Sequence, residues 1–242
     1  MCGIFVSNKQ LKSDFDVGEL LYRRGPDITN RLDMNSYTFI HTLLSMTGIE
    51  TVQPKISNDI VCLFNGEIYN YNEIKNYDSD VYYILDSFNH YQEDFYRHLD
   101  GEFAIVLMDF MNNKLYLSTD TFGTKPLYYS IDSFNIGISS YLEPLRSLGY
   151  TNIKKCNPNE TLIFDIKTRE LLNKTTNYKF DLEQKKTNFD DWTEAFIESI
   201  KKRFDQKEQD IILPLSSGHD SGAIACAMEM LDIKFTSFSF FP

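Results

Sequence analysis

Between residues 103 and 166 the chain carries five short strand-like runs at close spacing, and no other feature constrains its fold as strongly. Residues 103–110 and 114–118 flank Asn112-Asn113, which tolerate left-handed backbone, so the pair is expected to form a hairpin. Residues 127–131, 134–139 and 161–166 continue the pattern. Upstream, Ile4-Phe5-Val6 has the composition of a short buried strand and residues 37–46 look extended. Residues 59–64 predict another strand, ending at a turn at Asn65-Gly66. Two helical patterns interrupt the strands. Residues 13–24 place Phe15, Leu20 and Leu21 at apolar positions and stop at Gly25-Pro26. Residues 80–99 place Val81, Ile84, Leu85 and Phe88 on one stripe, repeated by Phe95 and Leu99. The order strand, helix, strands, helix, strands predicts an α+β fold with antiparallel sheets.

The character changes after residues 181–188, a polar stretch with Lys185 and Lys186 that predicts a linker. Trp192, Phe196, Ile200 and Phe204 then recur every fourth residue on one helix. Asp190 and Asp191 open that helix and Lys201, Lys202 and Arg203 close it, complementing its dipole. A strand at Ile211-Ile212-Leu213, a loop, a helix over 223–231 and a strand over 235–240 have the size of a βαβ unit. Two strands cannot be covered on both faces as a parallel sheet requires, so the chain resembles the front part of something longer.

With 242 residues, 42% of them hydrophobic, there is room for two domains and a sizeable core. A net charge of −11 disfavours a nucleic-acid backbone as partner. No run approaches the ~20 apolar residues of a membrane span, and Asn8, Lys9 and Gln10 interrupt any signal-like start, so no membrane association is expected. The four cysteines, Cys2, Cys62, Cys156 and Cys226, form no CxxC pair, which fits a reducing, cytoplasmic setting. The abundant Phe and Tyr, 19 and 15 residues, fit core and sheet packing.

Two stretches carry chemistry. A start Met is generally trimmed before a small side chain, and Cys2 is small. Trimming would place a nucleophilic thiol and a free α-amine of reference pKa about 7.7–8.0 on one residue. The alternative is that Cys2 merely begins a strand. The second stretch is the loop Leu215, Ser216, Ser217, Gly218, His219, Asp220, Ser221. Small residues let backbone approach a ligand, the following helix N-terminus favours phosphate, Ser216 and Ser221 add hydroxyl donors, and Asp220 is a candidate Mg²⁺ ligand. The loop lacks the Lys and spacing of a GxxxxGK[ST] loop. A generic Ser/Gly turn is the alternative. His219 is expected to face solvent, and His41, in an apolar strand, to be a packed core residue.

The loop resembles the SGGxDS loop of PP-loop ATP pyrophosphatases through Ser216, Gly218, Asp220 and Ser221, with Ser217 in place of a Gly. Met1-Cys2-Gly3-Ile4 is similar to the opening of class II glutamine amidotransferases, which are N-terminal-nucleophile hydrolases. Segments 24–27 (RGPD), 65–70 (NGEIYN), 99–104 (LDGEFA) and 120–128 (DTFGTKPLY) resemble the same family in the same order. The combination is similar to glutamine-dependent asparagine synthetase. The resemblance implies a four-layer αββα sandwich over residues 2–180, followed over 190–242 by the incomplete start of an α/β PP-loop domain. It implies that Cys2 attacks the side-chain amide of glutamine, that Asn65 and Gly66 form the oxyanion hole, and that Glu67 and Asp80 bind the α-ammonium of glutamine. A solvated loop acid and a helix cap are the alternatives for that last pair. It implies ATP binding at Leu215, Ser216, Ser217, Gly218, Asp220 and Ser221, with Mg²⁺ at Asp220, and aspartate as the acceptor once the synthetase domain is complete. A homodimer, or a second chain supplying the remainder, is the implied assembly.

One position departs from the pattern. The family generally carries an Arg two residues after the His of the segment His41-Thr42-Leu43-Leu44-Ser45-Met46, where it grips the α-carboxylate of glutamine. This chain has Leu43. Arg24 or Arg31 substitutes, glutamine binds more weakly, or the donor is not glutamine. The competing functions are amidation of another acceptor, such as a deazapurine, and a truncated chain with little or no activity. The chain as given is expected to be at most a glutaminase.

Overall fold

Apolar residues alternate sides along the central strands, so each sheet of the first unit is covered on both faces. In β1 (Gly3–Ser7), Ile4 and Val6 pack to one side and Phe5 to the other. The chain continues through α1 (Val17–Leu21), β2 (Ile28–Met34), β3 (Tyr37–Leu43), β4 (Lys55–Ser57), β5 (Ile60–Ile68), α2 (Asp80–Tyr91), β6 (Gly101–Asp109) and β7 (Lys114–Thr119). It then forms β8 (Tyr128–Ile131), β9 (Ile136–Ser139), α3 (Leu142–Ser147), β10 (Lys154–Lys155), β11 (Glu160–Asp165) and β12 (Leu171–Thr176). The computed structural model describes residues 1–11, 16–46, 49–73, 75–204 and 210–240. They divide into two compact units, Met1–Phe180 and Asp181–Pro242.

The first unit holds two six-stranded antiparallel sheets, in the orders β10-β8-β9-β1-β3-β2 and β12-β11-β7-β6-β5-β4. Their facing sides share one core, in which Ile4, Val6 and Phe39 of the first sheet meet Val61, Leu63, Val106 and Leu117 of the second. The outer face of the first sheet packs Phe5 and Ile40 against Val17, Leu21 and Leu145 of α1 and α3. The outer face of the second packs Cys62, Phe64, Ile105 and Tyr116 against Val81, Ile84, Leu85 and Phe88 of α2. The layers are therefore helix, sheet, sheet, helix, as the α+β expectation required.

Several local expectations need correction. β5 does not end at Asn65-Gly66: it runs on to Ile68, with Asn65 opposite Ala104 and Gly66 opposite Phe103. Gly66 has φ +153°, and a Cβ there would overlap the Glu102 carbonyl oxygen. Glycine is present for the close approach of β6, not for a turn. The helix expected over 80–99 stops at Tyr91, where Gln92 takes φ +51°, and 3₁₀ turns follow over Gln92–His98. That tightening keeps Phe95 buried, edge-on to Phe88 at 5.5 Å between ring centres. Of the helix expected over 13–24, residues 13–15, and with them Phe15, lie outside the described residues. The described part is α1 followed by a 3₁₀ turn at Tyr22–Arg24, and Leu20 is exposed. The Asp16 carboxylate accepts from Glu19 N and caps α1.

The second unit contains α4 (Asp190–Phe204), β13 (Ile212–Pro214), α5 (His219–Met230) and β14 (Thr236–Phe238), with β13 and β14 parallel. Ile200, Ala227 and Met228 form its small core. Trp192, expected on the buried stripe, stacks on Phe196 but is 63% exposed.

Candidate active site

The site is built where β1, β3 and β5 end. In register, Gly3 lies opposite Thr42, and Ile4 opposite His41. β1 is pinned on its other side by Ser140, whose hydroxyl accepts from Ile4 N at 3.0 Å while its own N–H donates to Ile4 O at 2.9 Å. Cys2, half-buried, thus leads directly out of a ladder fixed on both edges. Its carbonyl accepts from Arg24 Nε at 2.8 Å, and its thiol points at the Leu44 carbonyl at 3.9 Å. Arg24 is itself buried, with its guanidinium 5.0 Å from the centre of the Tyr141 ring. Gly25 is needed beside it, because a Cβ there would overlap the Thr42 carbonyl. Asp27 fastens the same corner: its N–H donates to Leu43 O and its carboxylate accepts from Ser45 N.

His41 ties the two sheets together at this end. Its Nε2 donates to the Phe64 carbonyl at 3.2 Å, and burial pushes its pKa down to about 4, so it is a neutral structural residue. Phe64 N donates to Gln53 Oε1 at 2.7 Å. The next residue is Asn65. It is 1% exposed, and neither its side-chain nitrogen nor its side-chain oxygen has a hydrogen-bond partner. A buried primary amide with both ends unsatisfied costs about 1–3 kcal/mol per group. Such a cost points to a ligand that completes it.

Glu67 and Asp80 converge with Cys2. Asp80 opens α2, with Ser79 as the N-cap residue, and its carboxylate accepts from Ile68 N at 3.2 Å and from the Ser79 hydroxyl at 3.1 Å. Burial, then the neighbouring Glu67 charge, raise its pKa to about 7. Burial also raises the Cys2 thiol, and the Asp80 and Glu67 charges push it further in the same direction. All three groups therefore lie within electrostatic reach of one another. Burial lowers the pKa of the chain's terminal amine at Met1, as do the nearby Arg24 and Lys125 charges.

Arg31, a candidate carboxylate ligand, does not fill that role. It forms an exposed pair with Asp33 on β2, at 2.9 Å. Arg24 is committed to the Cys2 carbonyl. Lys125, which the sequence did not single out as a ligand, pairs with Glu102 at 3.1 Å, and Glu102 also accepts from the Tyr69 hydroxyl at 2.9 Å. The segment 120–128 has a structural keystone in Asp120, whose carboxylate accepts from Phe103 N, Phe122 N, Thr124 N and the Thr124 hydroxyl at 2.7–3.0 Å. Replacing Asp120 with Ala is expected to lower unfolding free energy by roughly 2–3 kcal/mol, because these buried donors lose their acceptor, and a denaturant titration measures it. No periodicity marks Arg24 or Asp120. Their only sequence signal is membership in the quoted runs.

In the second unit the expected nucleotide loop joins β13 to the N-terminus of α5. The Ser216 and Ser221 hydroxyls lie 3.0 Å apart, Ser221 Oγ accepts from Ser216 N, and Ser216 Oγ accepts from Gly218 N. Leu215 N donates to Phe238 O, Ser217 is exposed, and Asp220 is the acid in the first turn of α5. Among the described residues no group of three or more His, Cys, Asp or Glu could hold a metal ion, and no helix is long and apolar enough to cross a membrane.

Two carboxylates, a terminal thiol and an orphaned buried amide, set at the mouth of an αββα sandwich, define an amide-processing class of site. The chain belongs to the glutamine amidotransferase domain family, whose profile matches residues 1–170. It is similar to the glutamine-hydrolyzing asparagine synthetase 1 of Bacillus subtilis, 33% identical over 127 residues, covering 47% of this chain and 20% of that protein. A Methanocaldococcus jannaschii relative named for the same enzyme is 27% identical over 267 aligned positions, covering 93% of this chain and 48% of its own. The chain thus spans less than half the length of either relative. Among solved structures, the glutamine phosphoribosylpyrophosphate amidotransferase of Bacillus subtilis overlays on 97% of this chain and 59% of its own, with a TM-score of 0.48 and 15% identity.

Proposed function

We propose that the first unit hydrolyses the side-chain amide of a glutamine donor at Cys2 and that the ammonia serves an asparagine synthetase-type amidation. The observation that carries this reading is the Asn65 amide, buried and unsatisfied beside the nucleophile. Its Nδ2 group and the Gly66 N–H act as oxyanion donors to the tetrahedral intermediate, and need no reorganisation as charge develops. Glu67 and Asp80 take the donor's α-ammonium. Binding that cation neutralises the field that raises the Cys2 thiol, so the substrate itself helps to form the thiolate. Once Met1 is removed, the Cys2 amine inherits a setting that already lowers the terminal amine, and serves as the base. The thiolate attacks the amide carbon, ammonia leaves with the proton held by the amine, and water hydrolyses the thioester.

The second unit is read as the start of a PP-loop domain over 190–242, with Leu215, Ser216, Ser217, Gly218, Asp220 and Ser221 around nucleotide phosphates. Two adjacent hydroxyls at a helix N-terminus fit a phosphate, and Asp220 is placed to share Mg²⁺ that arrives with it. ATP, when bound, supplies the adenylate that activates a carboxylate, which is that of aspartate in this reading. A cytoplasmic setting goes with these substrates.

The test is covalent labelling. A glutamine analogue bearing an electrophile at the amide position should modify Cys2 stoichiometrically in folded protein, and Cys2→Ala should leave no label and release no ammonia. Labelling at Cys62, Cys156 or Cys226 instead of Cys2 would refute the assignment.

A further inference from the structure

The position of Leu43 bears on what the donor is. On β3, Thr42 faces outward, its hydroxyl donating to Leu21 O at 3.3 Å, whereas His41 faces the second sheet through its bond to Phe64 O. Alternation puts Leu43 on the same side as His41, one step nearer the strand end where Cys2 and Asn65 lie. Leu43 is 7% exposed and belongs to none of the three apolar clusters of this unit. An apolar side chain therefore lines the mouth beside the nucleophile. The two cations that the terminal amine senses, Arg24 and Lys125, are both engaged, one by the Cys2 carbonyl and the other by Glu102. The charges free to meet a substrate are the two acids that suit an ammonium. A free α-carboxylate placed here would be desolvated against leucine and repelled by Glu67 and Asp80.

We propose that the donor carries a free α-amine and a masked α-carboxyl, as an N-terminal glutaminyl peptide does, and that Leu43 sets this preference. The proposal rests on the amidase reading above and narrows its substrate. The masked group is neutral, so Leu43 carries no penalty against it, and a continuing peptide leaves along the segment after β3, where Met46 and Ile49 are exposed. The reaction balances as before: the Cys2 sulfur displaces ammonia from the side-chain amide, water then cleaves the thioester, and the product is the corresponding N-terminal glutamyl peptide.

The experiment uses the full chain, confirmed by mass to begin at Cys2, and measures ammonia release from L-glutamine, L-glutaminyl-glycine and N-acetyl-L-glutamine. The expected order is L-glutaminyl-glycine at least about tenfold above L-glutamine in kcat/KM, mostly through KM, with N-acetyl-L-glutamine inactive. Leu43→Arg should invert the first two. If that variant does not fold, the wild-type ranking decides alone. Equal or better use of free glutamine by the wild type overturns the proposal and leaves the amidase reading intact. So does a folded Leu43→Arg that keeps the wild-type ranking. Ammonia from no donor also overturns it, and the Cys2 labelling then shows whether the amidase reading falls with it.

Discussion

Replacing Asn65 with Ala is expected to lower kcat about 10²–10³-fold, roughly 3–4 kcal/mol of transition-state stabilisation, while KM changes little. The side chain has no partner in the resting site and gains one only when an oxyanion forms, so its loss falls on the chemical step. The same substitution should leave the fold as stable as before or stabilise it by about 1–2 kcal/mol, because it deletes a buried amide with two unsatisfied ends. This opposite movement separates a catalytic donor from a structural one. Steady-state kinetics and a denaturant titration on one preparation would check it. A large loss of stability with kcat unchanged would remove Asn65 from the mechanism.

Replacing Asp80 with Asn is expected to produce a pH-dependent gain in stability and a loss of donor binding. The Asp80 pKa stands near 7 in the folded chain, against about 3.9 for an ordinary aspartate. The folded state therefore holds its proton over a range in which the unfolded state has released it. Stability is full below about pH 4 and falls as pH rises towards 7, by up to about 4 kcal/mol in total. Asp80→Asn should thus match the wild type in Tm at pH 4 and exceed it at pH 8. Donor binding runs the other way, since an α-ammonium needs the ionised carboxylate. In the wild type, KM should rise as pH falls below 7, and binding at pH 6 should release a proton, visible by calorimetry in buffers of different ionisation enthalpy. In Asp80→Asn, KM should be raised and nearly flat over the same range. A higher wild-type Tm at pH 8 would contradict this account.

The central strands and α2 were legible in the sequence because their apolar residues face cores on one or both sides. Ile4-Phe5-Val6, the hairpin around Asn112-Asn113 and the stripe Val81, Ile84, Leu85, Phe88 all fall where the pattern placed them. β2 and β12 were missed, and both are sheet edges. Their residues, ITNRLDM and LLNKTT, are largely half-exposed or exposed, so they carry little apolar signal. Asn65-Gly66 misled for a different reason. Glycine marks turns by its conformational freedom, but here it is required by the nearness of another backbone, which is a tertiary fact. The site showed the same divide. Cys2, Asn65, Gly66, Glu67 and Asp80 could be named from their runs, but their convergence depends on His41 and Gln53 joining one sheet to the other. Arg24 could be noted as a cation, yet its target, the carbonyl of Cys2, is visible only in three dimensions.

That contact has a consequence for how the enzyme ripens. Excision of the initiator would cut the backbone on one side of Cys2, but Arg24 and the ladder from Gly3 onward grip the other side. Only a soft sulfur contact from Arg24 to Met1 is lost, and Met1 is 54% exposed, within reach of a peptidase. The warhead is thus seated before it is armed, and a single hydrolytic cut supplies its base without disturbing its aim.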